Sequence, residues 1–289
     1  MFNTKNKEEI LVKEIQKFDK LAIAYSGGID SSYLLKVALN TLGPENVLAV
    51  VVNSELFSDE EFDKAVDLAN EMGAKVLGLE MSELSDERIV ANNPESWYYS
   101  KKLLYRTIRS GVKKEGFDMI ADGMIMDDND DFRPGLRARD EEGIISLLQQ
   151  AGLYKSEIRE LAKAANISNW NKAASCSIAS RIPYGSKLTP LSINQVFTSE
   201  KYLRSIGFPI VRVRVHQDLA RIEVPENQLS SLLKKKTQVS SYLKEQGFNY
   251  VTFDLDGFKS GRMNDVLTEI EKKSNPAGLN GARMRIFEG

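Results

Sequence analysis

Seven consecutive residues, Ser26-Gly27-Gly28-Ile29-Asp30-Ser31-Ser32, combine two glycines, three hydroxyls and one carboxylate. Glycines let backbone N–H groups approach an anion closely, and hydroxyls add donors without adding charge. A helix opening at the end of such a run would turn its unpaired N–H groups and positive dipole end toward the same anion. The chemistry this predicts is a phosphate cradle, with Asp30 as a magnesium-side carboxylate. The run lacks the Gly-Lys-Ser/Thr of a Walker A loop and the G-x-G-x-x-G of a dinucleotide site. The plainer alternative is a glycine turn whose Asp30 and Ser31 only cap a helix.

The chain carries one cysteine, Cys176, and one histidine, His216. A single cysteine makes no internal disulfide, no CxxC pair and no four-thiolate zinc or iron–sulfur site. A charge-relay site would have to be built on His216, which has no evident partner and is expected to be structural. Metal sites are therefore expected to be oxygen-ligated. Around Cys176 stand Ser175, Ser177, Ser180 and Arg181. Those polar neighbours favour a reactive thiol over the small buried hydrophobe that a lone cysteine usually is.

Arg181, Arg212 and Arg214 are candidates for gripping carboxylates or phosphates as forks. Arg212 and Arg214 alternate with Val211, Val213 and Val215 and so share one face of a strand, whose plainer role is an exposed, solubilising surface. Trp97, followed by Tyr98 and Tyr99, offers either an aromatic face for a flat cationic ring or simple core packing. After Gly123 come Asp127, Asp128 and Asp131, then Arg133-Pro134-Gly135, which read as an acidic loop.

Elements must position these residues. An apolar run over 21–25 stops at the glycine run, and helical spacing follows over 31–41, which predicts strand, loop and helix. Further strands are predicted over 47–52, 75–79 and 118–121, alternating with helices over 58–72 and 97–114. Strands alternating with helices imply a parallel sheet covered on both faces. A helix is expected over 154–165, an aperiodic segment over 169–190, a helix over 193–206, strands over 211–215 and 220–224, a helix over 226–233 and a strand over 250–255. The last group reads as an antiparallel α+β unit. The expected division is 1–168, a parallel-sheet α/β domain; 169–190, the cysteine-bearing connection; and 191–289, a smaller α+β domain.

The 289 residues are 42% hydrophobic and 28% charged, the balance of a globular protein rather than a disordered one. A formal net charge of −2, with cations spread along the chain, argues against a nucleic-acid groove. The polar N-terminus has no apolar signal region, and no run approaches the ~18 apolar residues of a membrane span, so a cytoplasmic location is expected.

The glycine run resembles, at every fixed position, the S-G-G-x-D-S-S loop of PP-loop ATP pyrophosphatases. Together with Ala174-Ser175-Cys176-Ser177-Ile178-Ala179-Ser180-Arg181-Ile182-Pro183-Tyr184-Gly185 and the helix over 155–161, it makes the chain similar to the LarE family of ATP-dependent sacrificial sulfur transferases. The similarity runs to about Arg214 and is weakest over the final third. It implies ATP and Mg²⁺ as cofactors, with Ser26, Gly27, Gly28, Asp30, Ser31, Ser32 and Gly123 at the nucleotide. In PP-loop sulfur-transferase relatives a Gly-Thr-Asn run opens the loop after a later strand, which Gly123 to Gly135 resembles, with Met124-Ile125 in place of Thr-Asn.

The resemblance further implies that a carboxylate of a pyridinium dicarboxylic acid mononucleotide is adenylated and then attacked by Cys176. Loss of the Cα proton would then expel a thiocarboxylate and leave dehydroalanine, a step toward the nickel-pincer cofactor of lactate racemase. Trp97, Ser180, Arg181, Arg212 and Arg214 would bind that substrate. Glu200 and Glu223 would be acid–base or metal groups, although each also fits a solvated position. A homo-oligomer, a hexamer by family resemblance, is implied, with no nucleic acid and no membrane. Two rivals stay open: a PP-loop amidating synthetase or tRNA thiolase, and a nucleotide-binding protein that cleaves nothing.

Overall fold

Residues 4–129, 132–172, 176–259 and 262–268 are described by a computed structural model. Asp131, Ala174 and Ser175 lie outside the described residues. The first unit runs α1 (Thr4–Ile15), β1 (Leu21–Ala24), α2 (Ile29–Leu42), β2 (Val47–Asn53), α3 (Asp59–Glu71), β3 (Lys75–Glu80), α4 (Glu87–Val90) and α5 (Ser96–Lys114). It continues through β4 (Ile120–Ala121), α6 (Gly135–Glu141), α7 (Leu147–Gln150) and α8 (Lys155–Ala164). Its sheet has the order β3-β2-β1-β4 and every pairing is parallel.

Burial on both faces explains why β1 and β2 read as unbroken apolar runs. Leu21, Ile23, Val47, Ala49 and Val51 turn to a core shared with α1, α2 and α8. Ala22, Leu48 and Val50 turn the other way, against Tyr105, Ile108 and Val112 of α5. Successive strand residues point to opposite faces, so one run serves both layers.

Several expectations are corrected. Helix α1 escaped the periodicity reading because among its residues only Leu11 and Ile15 are buried. The stretch read as loop after Gly123 holds a short 3-10 turn, Met126–Asn129, and Gly135 opens α6. Pro-Gly is a turn signal, but proline also suits a helix start.

The second unit comprises α9 (Pro190–Ser205), β5 (Arg212–His216), β6 (Leu219–Glu223), α10 (Leu229–Lys234), α11 (Lys236–Glu245) and β7 (Tyr250–Phe253). It is not antiparallel throughout: β5 pairs antiparallel with β6, whereas β6 pairs parallel with β7. The crossover through α10 and α11 brings the chain back to the same end of the sheet, which fixes a parallel pair. The core of this unit includes Ile178, Ala179, Ile182 and Leu188, so the cysteine-bearing segment is built into it, together with Leu56 and Ile89 from the first unit.

Glu83, just after β3, is buried and accepts hydrogen bonds from Ser54 Oγ at 2.6 Å and Ser100 Oγ at 2.5 Å. Burial raises its pKa above the usual 4.5, against the lowering by the two hydroxyls. A raised folded-state pKa means the native chain holds the proton more tightly. Stability therefore falls as pH rises from the unfolded value through the folded one, and is level above it. Glu83→Gln, which keeps a partner for each hydroxyl, is expected to remove that fall. Urea midpoints measured across the range would show it; parallel curves for variant and parent would refute it.

Candidate active site

The phosphate loop is held by its own hydroxyls. Ser26 Oγ lies 3.2 Å from Ser31 Oγ, and Ser31 Oγ donates to the Gly28 carbonyl at 3.1 Å. Ser32 Oγ lies 3.0 Å from Tyr25 Oη. Gly28 is the N-cap of α2 with no side-chain cap, so the first N–H groups of that helix are left for a ligand. That is not the turn in which Asp30 or Ser31 merely caps a helix.

Gly27 has φ 64°, and a Cβ there would sit 2.7 Å from Ala65 Cβ. Gly27→Ala is expected to weaken ATP binding at least ~10-fold and to cost about 1–3 kcal/mol of stability, from the left-handed backbone and the overlap together. Calorimetric titration and urea unfolding check this, and parental values in both would refute it. Gly123, past the end of β4, also packs on the loop: a Cβ would lie 2.9 Å from the Ser31 backbone nitrogen.

Asp30 accepts from Lys155 Nζ at 2.6 Å through Oδ2, while Oδ1 is buried without a hydrogen-bond partner. An orphaned carboxylate oxygen beside a phosphate cradle fits a hard cation that takes its other ligands from phosphate and water. Among the described residues, no group of three or more His, Cys, Asp or Glu side chains is arranged to hold a metal by itself. Asp127 Oδ2 accepts from the Lys155 backbone N–H at 2.8 Å, and Asp128 is buried in an ion pair with Arg133 at 2.9 Å. Burial raises the Asp128 pKa, against the lowering by Arg133. The solvated reading of that acidic loop therefore fails for Asp128.

Cys176 is exposed, which removes the buried-hydrophobe alternative. Its segment is tied down on both sides. Asn169 Nδ2 donates to the Gly27 carbonyl at 2.9 Å and to Ser32 Oγ at 3.1 Å. Seven extended residues reach at most ~25 Å, so Cys176 cannot lie farther than that from Asn169 on the loop. Beyond the cysteine, the Ile178 N–H donates to the Leu56 carbonyl at 2.9 Å.

Two buried ion pairs hold the residues on the C-terminal side of the cysteine. Arg181 Nε donates to Glu200 Oε1 at 3.0 Å, and Arg181 Nη1 donates to the carbonyls of Cys176 and Ser177, both at 3.1 Å, and to Ser180 Oγ at 2.7 Å. Arg214 grips Glu223 through Nε and Nη2 at 2.5 and 2.9 Å, and its Nη1 donates to the Ser180 carbonyl at 2.7 Å. Glu200 and Glu223 are 2% and 0% exposed, which overturns the solvated positions expected for them. Glu200 also accepts from Arg204 and from the Val213 N–H, and Glu223 from Arg221. Both carboxylates are thus taken up in orienting arginines and backbone.

Arg214 is buried, so the arginine strand is not an exposed solubilising face. Arg212 is partly buried beside the Phe258 ring at 5.3 Å; burial and the charge of Arg181 depress its pKa. Trp97 packs partly buried against the second core and donates Nε1 to Tyr184 Oη at 3.0 Å. His216 Nε2 is buried without a partner, and burial lowers its pKa. Asn169 and Lys155 are site residues that sequence reasoning missed. Lys155 opens α8 and Asn169 lies five residues past its end, and neither position carries a local sequence signal of the glycine loop it meets.

A glycine loop between the first strand of an all-parallel sheet and its helix, rich in hydroxyls and without a Walker lysine, defines the PP-loop ATP pyrophosphatase class. Consistent with this, the NAD synthase family profile matches residues 4–95. The pyridinium-3,5-bisthiocarboxylic acid mononucleotide synthase of Lactiplantibacillus plantarum is 51% identical over 92% of this chain and 96% of its own length. An uncharacterised protein of Synechocystis is 34% identical over 91% of the chain and 99% of its own length. The NH(3)-dependent NAD(+) synthetase of Hyperthermus butylicus is 26% identical over only 49% of the chain and 52% of its own length. The chain belongs to the family of the pyridinium-3,5-bisthiocarboxylic acid mononucleotide synthases. Among the described residues, no helix is long and apolar enough to cross a membrane.

Proposed function

We propose that the chain performs ATP-dependent sulfur insertion into pyridinium-3,5-dicarboxylic acid mononucleotide, with Cys176 as the sulfur source. The glycine loop and the N-terminus of α2 hold the pyrophosphate of ATP while a substrate carboxylate attacks the α-phosphate, giving an acyl adenylate and pyrophosphate. Asp30, whose Oδ1 is buried without a partner, would hold Mg²⁺, which when bound would supply positive charge to offset that of the phosphates. The Cys176 thiolate then attacks the acyl carbon and AMP leaves. Removal of the Cα proton breaks the Cβ–Sγ bond, so the thiocarboxylate departs with the sulfur and dehydroalanine remains. Trp97, Ser180, Arg181, Arg212 and Arg214 are the residues we assign to the substrate side, Arg212 as the cation facing the anion.

The observation that carries this reading is the exposed Cys176 on a segment tethered to the phosphate loop by Asn169 and clamped by Arg181. By family resemblance we further infer a cytoplasmic homo-hexamer that binds no nucleic acid. The test is the intact mass of the full chain after incubation with ATP, Mg²⁺ and the pyridinium substrate. The expected result is a loss equal to hydrogen sulfide, mapped to position 176. Turnover beyond one sulfur per chain with the mass unchanged would favour a relayed-sulfur or amidating enzyme. Absence of pyrophosphate release, with substrate bound, would leave only a binding protein.

A further inference from the structure

Arg181 makes more contacts than holding a segment in place requires. One of its nitrogens, Nη1, donates to the carbonyl oxygen of Cys176 itself at 3.1 Å. That oxygen is bonded to the carbon adjacent to the Cα whose proton must be lost if the cysteine is to give up its sulfur. A peptide Cα–H is a very weak acid because the amide nitrogen already donates into the carbonyl, which leaves its oxygen little able to take up the charge that deprotonation pushes onto it. A cationic donor already aimed at that oxygen lowers the barrier, as an oxyanion hole does for acyl transfer.

Resting on the sulfur-donor reading above, we propose that Arg181 is a catalytic residue of the elimination step, stabilising the enolate-like charge that develops on the Cys176 carbonyl oxygen. The electron balance is simple. The Cα–H pair first moves toward the Cα–C bond, raising the charge on the carbonyl oxygen. It then becomes the Cα=Cβ bond as the Cβ–Sγ pair leaves on the thiocarboxylate sulfur. The proton leaves to solvent, to which Cys176 is open. No oxidant or reductant enters.

The geometry favours the transition state over the ground state. Nη1 carries two hydrogens, and three oxygens share them: those of Cys176 and Ser177 at 3.1 Å and Ser180 Oγ at 2.7 Å. At rest the Cys176 contact is therefore long and shared. As charge grows on that one oxygen, the shared hydrogen moves to it, so the interaction is strongest when elimination is under way. Glu200 is the positioning residue: its carboxylate fixes Nε at 3.0 Å and keeps the guanidinium from swinging out. With side chains 4% and 2% exposed, the pair lies away from water, where such a charge interaction is least screened.

The test uses the full chain with ATP, Mg²⁺ and the pyridinium substrate, quenched in acid at intervals. Intact mass separates the parent, the thioester adduct at Cys176 and the dehydroalanine form. The variant is Arg181→Met with Glu200→Gln, which removes the donor without leaving a buried charge unpaired. Because Arg181 also stands on the substrate side, the adduct is expected to form more slowly than in the parent, while the conversion of adduct already formed to dehydroalanine slows further, by ~10²–10³-fold. In chains carrying α-deuterated cysteine, that slowed conversion should show a primary isotope effect, which places the delay in Cα–H cleavage rather than in substrate binding or adduct formation.

Parental conversion, equal slowing of adduct formation and conversion, or slowing without an isotope effect would each overturn the proposal. If circular dichroism shows the double variant unfolded, Arg181→Lys decides by the same readouts, with a smaller delay expected. Absence of both adduct and dehydroalanine in the parent chain would instead sink the sulfur-donor reading itself.

Discussion

Cys176→Ala is expected to release pyrophosphate from ATP in the presence of the pyridinium substrate while forming no thiocarboxylate above background. The phosphate loop, built from Ser26, Ser31 and Ser32 with Gly27 and Gly123 packed tightly about it, makes no hydrogen bond to the cysteine among the described residues. Adenylation therefore survives the change, and the acyl adenylate, lacking its nucleophile, is lost only to water. The thiol is exposed and lies outside the buried cores, so the variant should also unfold at the parental urea midpoint. Product formed by the variant at the parental rate would mean the sulfur comes from elsewhere. Loss of pyrophosphate release would mean the thiol helps to bind substrate.

Glu223→Ala is expected to cost about 3–5 kcal/mol of stability, the largest effect of any single change considered. Glu223 is fully buried and answers Arg214 in a two-point contact and Arg221 at 3.2 Å. Taking it away leaves Arg214 buried with no carboxylate, a charge whose desolvation nothing offsets. Arg221 keeps Asp254 at 3.4 Å and suffers less. Pairing the change with Arg214→Met removes the orphaned cation, and stability should recover in part despite the second substitution. Urea unfolding of the two single variants and the double variant measures the coupling. Additive losses would show that the pair is not a unit.

Some of this architecture was legible in the sequence and some was not, for identifiable reasons. The strand, glycine loop and helix around Ser26 were readable because β1 and β2 are buried on both faces, and two-sided burial leaves an unmistakable apolar run. Strand direction in the second sheet was not readable, since β6 and β7 look the same from either end and only the crossover through α10 and α11 orients them. The arginines around the cysteine were picked out by residue type, yet their partners were misjudged. Glu200 sits between Ser199 and Lys201 and Glu223 alternates with Ile222 and Val224 as a solvent-facing strand residue would, so nothing local marks a carboxylate that folds inward to meet a guanidinium. Asn169 was missed for the same reason: its partners, Gly27 and Ser32, lie 142 and 137 residues away.

The clamp on the cysteine segment grips main-chain oxygens of residues 176, 177 and 180, never the thiol. An alanine-sized or unsaturated side chain at position 176 leaves every one of those contacts in place. On the proposed chemistry, a chain that has given up its sulfur would keep these contacts and so its shape, and would go on competing with fresh chains for the same mononucleotide. Supply of the modified nucleotide would then track the rate of new protein synthesis, and clearance of spent chains by proteolysis would find no loosened structure to recognise.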